Sequence, residues 1–393
     1  MHRCTLLKCK NKVRYLSANS TEHNFEAMKR KIFISTTNDI STDNRVNKVA
    51  VMLEDMGFEV KWIGRELVGS KPLDRSYQTD RMKLWFSKGA LFYAEFQTRL
   101  FFKLLFECDR NSLLLANDLD TLLPNFLISR FFGIPLVYDS HEYFCGVPEI
   151  QGRWVQRVWQ GMEQFVFPRL VHIWTVNESI ASLYEKDYGK RPKVFRNISP
   201  KPNFTVKTRA ELGLPEEVKI AINQGSGMNV DRGLEEAVEA VSQMDGWMLL
   251  LVGSGDAIPA LQKYVKEQQL EEKVKFINRV PYQELLQYTC AADVGLSLDK
   301  STNINYRFSL PNKLFDYIHC NIPVVTSKVV EVKRIVDEYQ IGETVDPQNI
   351  VALKEAIKKV GAGSYKETLK KAQKELNWEN EQLPLKAFYG QFL

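Results

Sequence analysis

With 393 residues, 44% of them hydrophobic, the chain is long enough to bury two cores rather than one. A net charge of +5 is mild at this length: it permits attraction to phosphorylated ligands or an anionic membrane face, and it excludes the dense basic signature of a nucleic-acid binder. Six cysteines without metal-ligand or disulfide spacing read as reduced thiols in a cytoplasmic protein, and no apolar run reaches the length of a spanning helix.

Residues 1–27 mix Lys8, Lys10, Lys12 and Arg14 with serine and asparagine and contain no signal-peptide core, so they read as a disordered extension ahead of Met28. From residue 31 strand and helix signals alternate. Strands are expected at Lys31–Ser35, Phe58–Ile63, Ser112–Ala116, Ile134–Tyr138 and His172–Val176. Helices are expected at Arg45–Met56, Leu122–Phe132 and Glu178–Tyr188, closed by Gly57, Gly133 and Gly189. This is a βαβ rhythm, hence a mostly parallel sheet with helices on both faces. The rhythm breaks over Asn197–Thr208, where Pro200 and Pro202 mark a loop. It restarts with strands at Lys219–Asn223, Met248–Val252, Val274–Ile277, Val294–Leu298 and Ile322–Thr326. Two Rossmann-like α/β units with a cleft between them are the expected fold, divided near residues 200 and 201.

One helix, Lys88–Glu107, carries a narrow polar stripe of Glu95, Arg99, Lys103 and Glu107 beside a crowd of phenylalanines. Such a helix packs deeply against the sheet or lies on a membrane surface. Arg153, Trp154, Arg157 and Trp159 add a basic aromatic patch.

Candidate functional residues gather at the ends of strands. In the first half, Thr37–Arg45 forms a loop containing Asn38 and Asp39. Asp43 is a helix cap there, and Arg45 is placed to reach a phosphate. Asn117 and Asp118 end another strand and suit either acceptor contact or turn formation. His141 follows Val137-Tyr138-Asp139-Ser140 at the carboxyl end of a buried strand, where reacting groups collect; a lone histidine there is either a packing residue or a functional one. In the second half, Gln224-Gly225-Ser226-Gly227 lets backbone amides approach a ligand, and Arg232 offers a bidentate donor set to phosphate oxygens. The turn Gly253-Ser254-Gly255 is too short a pattern to specify a dinucleotide. Leu310-Pro311-Asn312-Lys313-Leu314-Phe315-Asp316 opens a short helix that Asn321 ends. Lys313 and Asp316 share one face of it, close to a helix N-terminus that favours phosphate.

The last segment, with its Pro-x-Lys-x-x-Asp-Tyr helix and Pro323-Val324-Val325 strand, resembles the nucleotide-sugar segment of GT-B glycosyltransferases of family four. The resemblance covers about residues 30–393. It implies a retaining, metal-independent transferase that needs no cofactor and takes a UDP- or GDP-linked sugar as donor. The acceptor would be a glycan or a lipid-linked sugar, met in the cytoplasm or at the inner face of a membrane. It implies that Asp316 contacts the donor ribose and that Leu310, Pro311 and Lys313 face the diphosphate with Gly225, Ser226 and Arg232. The backbone at Val280 would meet the base. The Asp139-x-His141-Glu142 form resembles a subgroup in which the histidine lies beside the transferred sugar. It also implies that the terminal helix 378–393 returns to the first unit, 28–200, leaving 201–377 as the donor unit. Two departures stand out: Phe308 occupies the place of an earlier glutamate, and Ser226 that of a second basic residue. A GT-B epimerase and a non-catalytic partner protein are the alternatives.

Overall fold

The structure, a computed structural model, describes residues 29–148 and 150–393. The extension 1–27 and Met28 lie outside the described residues. The first half runs β1 (Lys31–Asp39), α1 (Asn44–Asp55), β2 (Glu59–Glu66), β3 (Gln78–Lys83), α2 (Gly89–Glu107) and β4 (Leu113–Asn117). It continues with α3 (Leu119–Phe132), β5 (Leu136–Ser140), α4 (Trp154–Val166), β6 (His172–Thr175), α5 (Glu178–Tyr188) and β7 (Lys193–Val194). These seven strands form one sheet in the order β3-β2-β1-β4-β5-β6-β7, all pairs parallel.

The second half follows as β8 (Lys219–Gly225), α6 (Leu234–Ser242), β9 (Trp247–Gly253), α7 (Ile258–Glu267), β10 (Val274–Ile277) and α8 (Tyr282–Cys290). Then come β11 (Val294–Ser297), α9 (Ile304–Arg307), α10 (Asn312–His319), β12 (Val324–Ser327) and α11 (Val330–Tyr339). The chain closes with β13 (Gly342–Val345), α12 (Ile350–Ala362), α13 (Lys366–Glu375) and α14 (Trp378–Tyr389). Its six-stranded sheet is ordered β10-β9-β8-β11-β12-β13, again parallel. The two Rossmann-like sheets expected from the alternating pattern are therefore present.

Period-two alternation decides which core each residue joins. Along β1, Phe33 packs under α2 and α3, whereas Ile32 and Ile34 pack on the opposite face against α1. That second core also takes Trp378, Leu385, Phe388 and Tyr389, so α14 leaves the second half and packs on the first sheet. In β8, Ile220 and Ile222 join the core under α10, while Ala221 joins that under α6. Arg196 donates to both carboxylate oxygens of Glu381, which fixes α14 to the segment after β7.

Local chemistry sets the element ends. Asp43 accepts from the Val46 amide at 3.0 Å and caps α1 as its sequence position suggests. Gly133, Gly189 and Asn321 take φ values of 69°, 67° and 61°, the left-handed stops anticipated for them. Pro311 differs from expectation: with φ −71° and ψ 140° it is the residue before α10 rather than its first helical residue. Strand β1 also runs past Ser35, because Asp39 pairs with Arg65 of β2 after an irregularity in register, so Asn38 and Asp39 belong to a strand.

Candidate active site

Both sheets reverse their winding at one point, between β1 and β4 in the first and between β8 and β11 in the second, and crevices for ligands open at the carboxyl ends of such strands. The candidate residues divide between these two places.

At the first, the His141 amide donates to Asp118 Oδ1 at 2.8 Å. The ring is held on both sides: Nδ1 lies 3.2 Å from Asp118 Oδ2, and Nε2 lies 3.1 Å from Asn117 Oδ1 and 3.4 Å from Asp139 Oδ2. Burial pulls the imidazole pKa down, but Asp118 and Asp139 outweigh it, and the net direction is upward from 6.5. That direction favours the protonated ring, in which both N–H groups would be directed at oxygens. Asp139 is itself held low, at about 2, despite burial, because Arg45 Nη2 reaches its two oxygens at 2.8 and 3.1 Å. The backbone at Asp118 has φ 60° and ψ 165°, a region that is nearly glycine-only, so the position of this carboxylate is bought with strain. One turn on, Thr37 donates to Asp120 Oδ2 at 2.5 Å, and burial together with Asp118 pushes the Asp120 carboxyl up to about 7.

Three sequence candidates in this half sit differently from their expected roles. Arg45 is buried and committed to Asp139, with its guanidinium over Phe195, so it does not point to an open phosphate position. Asp39 accepts from the Ser41 amide and from Ser70, which turns it toward the β2–β3 connection. Asn38 is exposed and donates to Asp43. Sequence position put these residues on the loop after β1 as candidate acceptor or phosphate contacts, but the longer β1 takes Asn38 and Asp39 into a strand.

At the second switch point, β8 ends on Gly225 with φ 137°, next to Ser226. A Cβ on Gly253 would come within 1.8 Å of the Gly225 carbonyl oxygen, and one on Gly255 within 2.1 Å of that of Met228, so these glycines let two strand-end turns touch. Gly233, at φ 71°, lies against Leu298 and starts α6. Arg232 Nη1 lies 3.1 Å from Asp299 Oδ2, and its guanidinium sits 4.0 Å from the Tyr306 ring centroid. Lys313 Nζ donates to Asn223 Oδ1 at 3.1 Å; burial and Arg232 lower its pKa while Asp299 opposes them. Arg232 Nε and Asp299 Oδ1 have no hydrogen-bond partner among the described residues. Arg232 is thus paired with a nearly buried carboxylate, while Lys313, in the first turn of α10 after Leu310 and Pro311, feels that carboxylate but bonds to Asn223.

Asp316 lies deeper, only 4% exposed. Tyr282 donates to Oδ1 at 2.6 Å and Gln224 to Oδ2 at 3.1 Å, while burial raises the carboxyl to about 6 against these bonds and Lys48. Its free lone pairs, not an idle carboxylate, are what a ligand hydroxyl could use. Val280 sits half-buried just before α8, against the core beneath α10.

The sequence reading missed the groups that join the two places. Asn305 accepts from the Tyr143 amide at 3.1 Å and donates to the Tyr143 carbonyl at 3.2 Å. Asn177 donates to the Phe308 carbonyl at 2.8 Å, and the Phe308 ring packs against the first core. Asp299, two residues beyond β11, followed a strand and could have been flagged; Asn305 carried no signal beyond its place in an irregular stretch.

Residues 226–362 match the family of glycosyl transferases group 1. No curated protein matches the chain. Among solved structures it is similar to a sucrose-phosphate synthase from Thermosynechococcus elongatus, with 20% identity and a TM-score of 0.76 over 92% of this chain and 99% of that one. A glycosyltransferase from Rickettsia africae aligns at 13% identity and a TM-score of 0.72, covering 93% and 99%. Anabaena HepE, solved in complex with UDP, aligns at 14% and 0.68, covering 93% and 100%. The fold is GT-B, and with a group 1 domain in its second half the chain is a glycosyltransferase.

Proposed function

We propose that this enzyme is a retaining, metal-independent transferase of the family-four kind. It moves a sugar from a UDP- or GDP-linked donor to a hydroxyl of a glycan or lipid-linked acceptor, in surface polysaccharide or glycan synthesis. The observation that carries the donor side is the Arg232–Lys313 pair at the start of α10. As the anomeric carbon leaves its phosphate oxygen, negative charge grows on the diphosphate, and fixed cations stabilise that charge without reorganising. Entry of the diphosphate would offer phosphate oxygens to Arg232 in place of Asp299 and to Lys313 in place of Asn223. HepE has been solved with UDP-glucose as well as UDP, which supports a nucleotide sugar for a fold of this kind.

His141, held by Asp118, Asn117 and Asp139, would donate to a hydroxyl of the transferred sugar. The acceptor hydroxyl forms the new bond to the anomeric carbon as the bond to the diphosphate breaks, and its proton passes to the departing diphosphate oxygen. Asp316, Gly225, Ser226 and the Val280 backbone complete the donor pocket in this reading. The enzyme would work in the cytoplasm, at the inner face of a membrane when its acceptor is lipid-linked.

The test is turnover of UDP- and GDP-sugars with and without hydroxyl acceptors, read as free nucleotide diphosphate, in EDTA and in added divalent ions. Acceptor-dependent release that survives EDTA is expected. An absolute metal requirement would remove the assigned roles of Arg232 and Lys313, and a changed sugar still attached to its nucleotide would make the enzyme an epimerase.

A further inference from the structure

The helices α2, α3 and α4 lie side by side over one face of the first sheet. Their inner residues account for the packing half of the expectation for α2: Phe92, Phe96, Leu100 and Leu104 are buried. The polar stripe of α2 is half-buried and tied down by partners. Glu95 accepts from the Trp85 and Phe86 amides, Lys103 pairs with Asp80, and Glu107 pairs with Lys61. Trp159 is likewise a core residue, edge-on to Tyr93 and Phe144.

What remains outside is apolar. Phe106 is 80% exposed on α2, Phe131 72% on α3 and Trp154 69% on α4, with Phe102, Val158 and Phe165 also out. Between the helices runs a groove of about 420 Å³ lined by Phe101, Leu123, Leu127, Val155, Val158 and Met162. An exposed apolar surface of this extent on a protein is ordinarily covered by a partner or a lipid phase.

Charge selects the occupant. Arg130 and Arg157 are exposed and make no ion pair among the described residues, and Arg169 lies with its guanidinium over Phe165. No carboxylate of these helices stands free: Glu95 and Glu107 are paired, and Asp120 and Glu163 are buried. Aromatic rings with unopposed arginines, and with the neighbouring acids Asp80 and Glu107 already paired to Lys103 and Lys61, complement an anionic bilayer, where rings settle at headgroup depth and arginines meet lipid phosphates.

We propose that the outer face of α2, α3 and α4 docks this enzyme on an anionic membrane, with the groove accepting part of a lipid chain. The surface joins the candidate site at one end: Gln156, in the first turn of α4, donates to the Cys145 carbonyl at 2.9 Å, in the segment that leads on from His141. Docking thus holds His141 beside the lipid phase in which a lipid-linked acceptor would travel. The proposal deepens the acceptor side of the transferase reading, yet vesicle binding is measured without donor or acceptor, so either can fail alone.

The full chain should float with vesicles that contain phosphatidylglycerol, far less with phosphatidylcholine alone, and less again as salt rises. The double variants F131S/W154S and R130E/R157E should each lose about tenfold in partition while keeping the melting temperature and nucleotide binding of the parent. Light scattering accompanies the assay. Absence of flotation by the parent overturns the proposal, as do unchanged partition in both variants and a dimer that both variants dissolve, which would make the face a contact between copies.

Discussion

The two strand-end constellations use charge in opposite ways. Around His141 opposite charges are matched within the same half: Arg45 with Asp139, and His141 with Asp118 and Asp139. Around Lys313 two cations lie near a single carboxylate, Asp299, which pairs with Arg232 alone, while Lys313 bonds to the neutral Asn223. The first is preorganised, and its cost appears as strain at Asp118 and a raised carboxyl at Asp120. The second keeps a deficit of negative charge that a ligand can fill. The contrast teaches that one site is shaped to hold an orientation and the other to exchange an anion.

The largest effect should come from breaking the oriented side. His141→Ala is expected to lower turnover on the order of a hundredfold or more while the affinity for UDP or GDP changes little, since its contact matters as the bond to phosphate breaks. Calorimetry against release kinetics separates the two. Wild-type turnover in a folded variant would make His141 a packing residue.

On the exchanging side, Arg232→Ala should weaken nucleotide diphosphate binding by about 2–3 kcal/mol, the scale for hydrogen bonds to charged groups, with a shallower salt dependence. Asp316→Ala should weaken donor binding by about 1.5–3 kcal/mol. It should also lower the melting temperature, because Tyr282 and Gln224 lose a buried acceptor. Loss of stability with unaltered affinity would move Asp316 out of the pocket.

Asp120 sharpens the cost of preorganisation. Its carboxyl lies at about 7 in the fold and near 3.8 unfolded, so between these values the folded state binds the extra proton and stability falls as pH rises. Asp120→Asn should therefore raise the melting temperature most above pH 7, by the equivalent of about 2 kcal/mol, with the gain vanishing toward pH 4. A gain that is flat with pH would place the strain elsewhere. The smallest effect is expected from Asn305→Ala, about 1 kcal/mol on stability for two solvent-reachable bonds, with a larger change in donor off-rate if the cleft contact matters to exchange.

Much of the scaffold was legible because buried parallel strands and glycine stops leave strong local marks. Gly133, Gly189 and Asn321 fell where the left-handed stop was expected. Strands β3, β7 and β13 escaped notice: Gln78-Thr79-Asp80-Arg81-Met82-Lys83 is polar because it lies at the sheet edge, Lys193–Val194 is two residues at the opposite edge, and Gly342–Val345 is short and half-buried. At the site, residue types were legible and pairings were not. Nothing local to Arg45 says that Asp139, distant in sequence, will claim it. Long-range pairing likewise hid Asp299 as the partner of Arg232.

Phe308 belongs to the donor side by chain order, yet its ring rests in the hydrophobic core of the other half. The loop that carries it is therefore a borrowed element, folded by a neighbour. Severed from the first half, residues beyond the linker should retain their sheet but lose the buttress that shapes this loop. Such a piece would hold a nucleotide more loosely and release it sooner than the intact enzyme, although every donor-side chain would still be present.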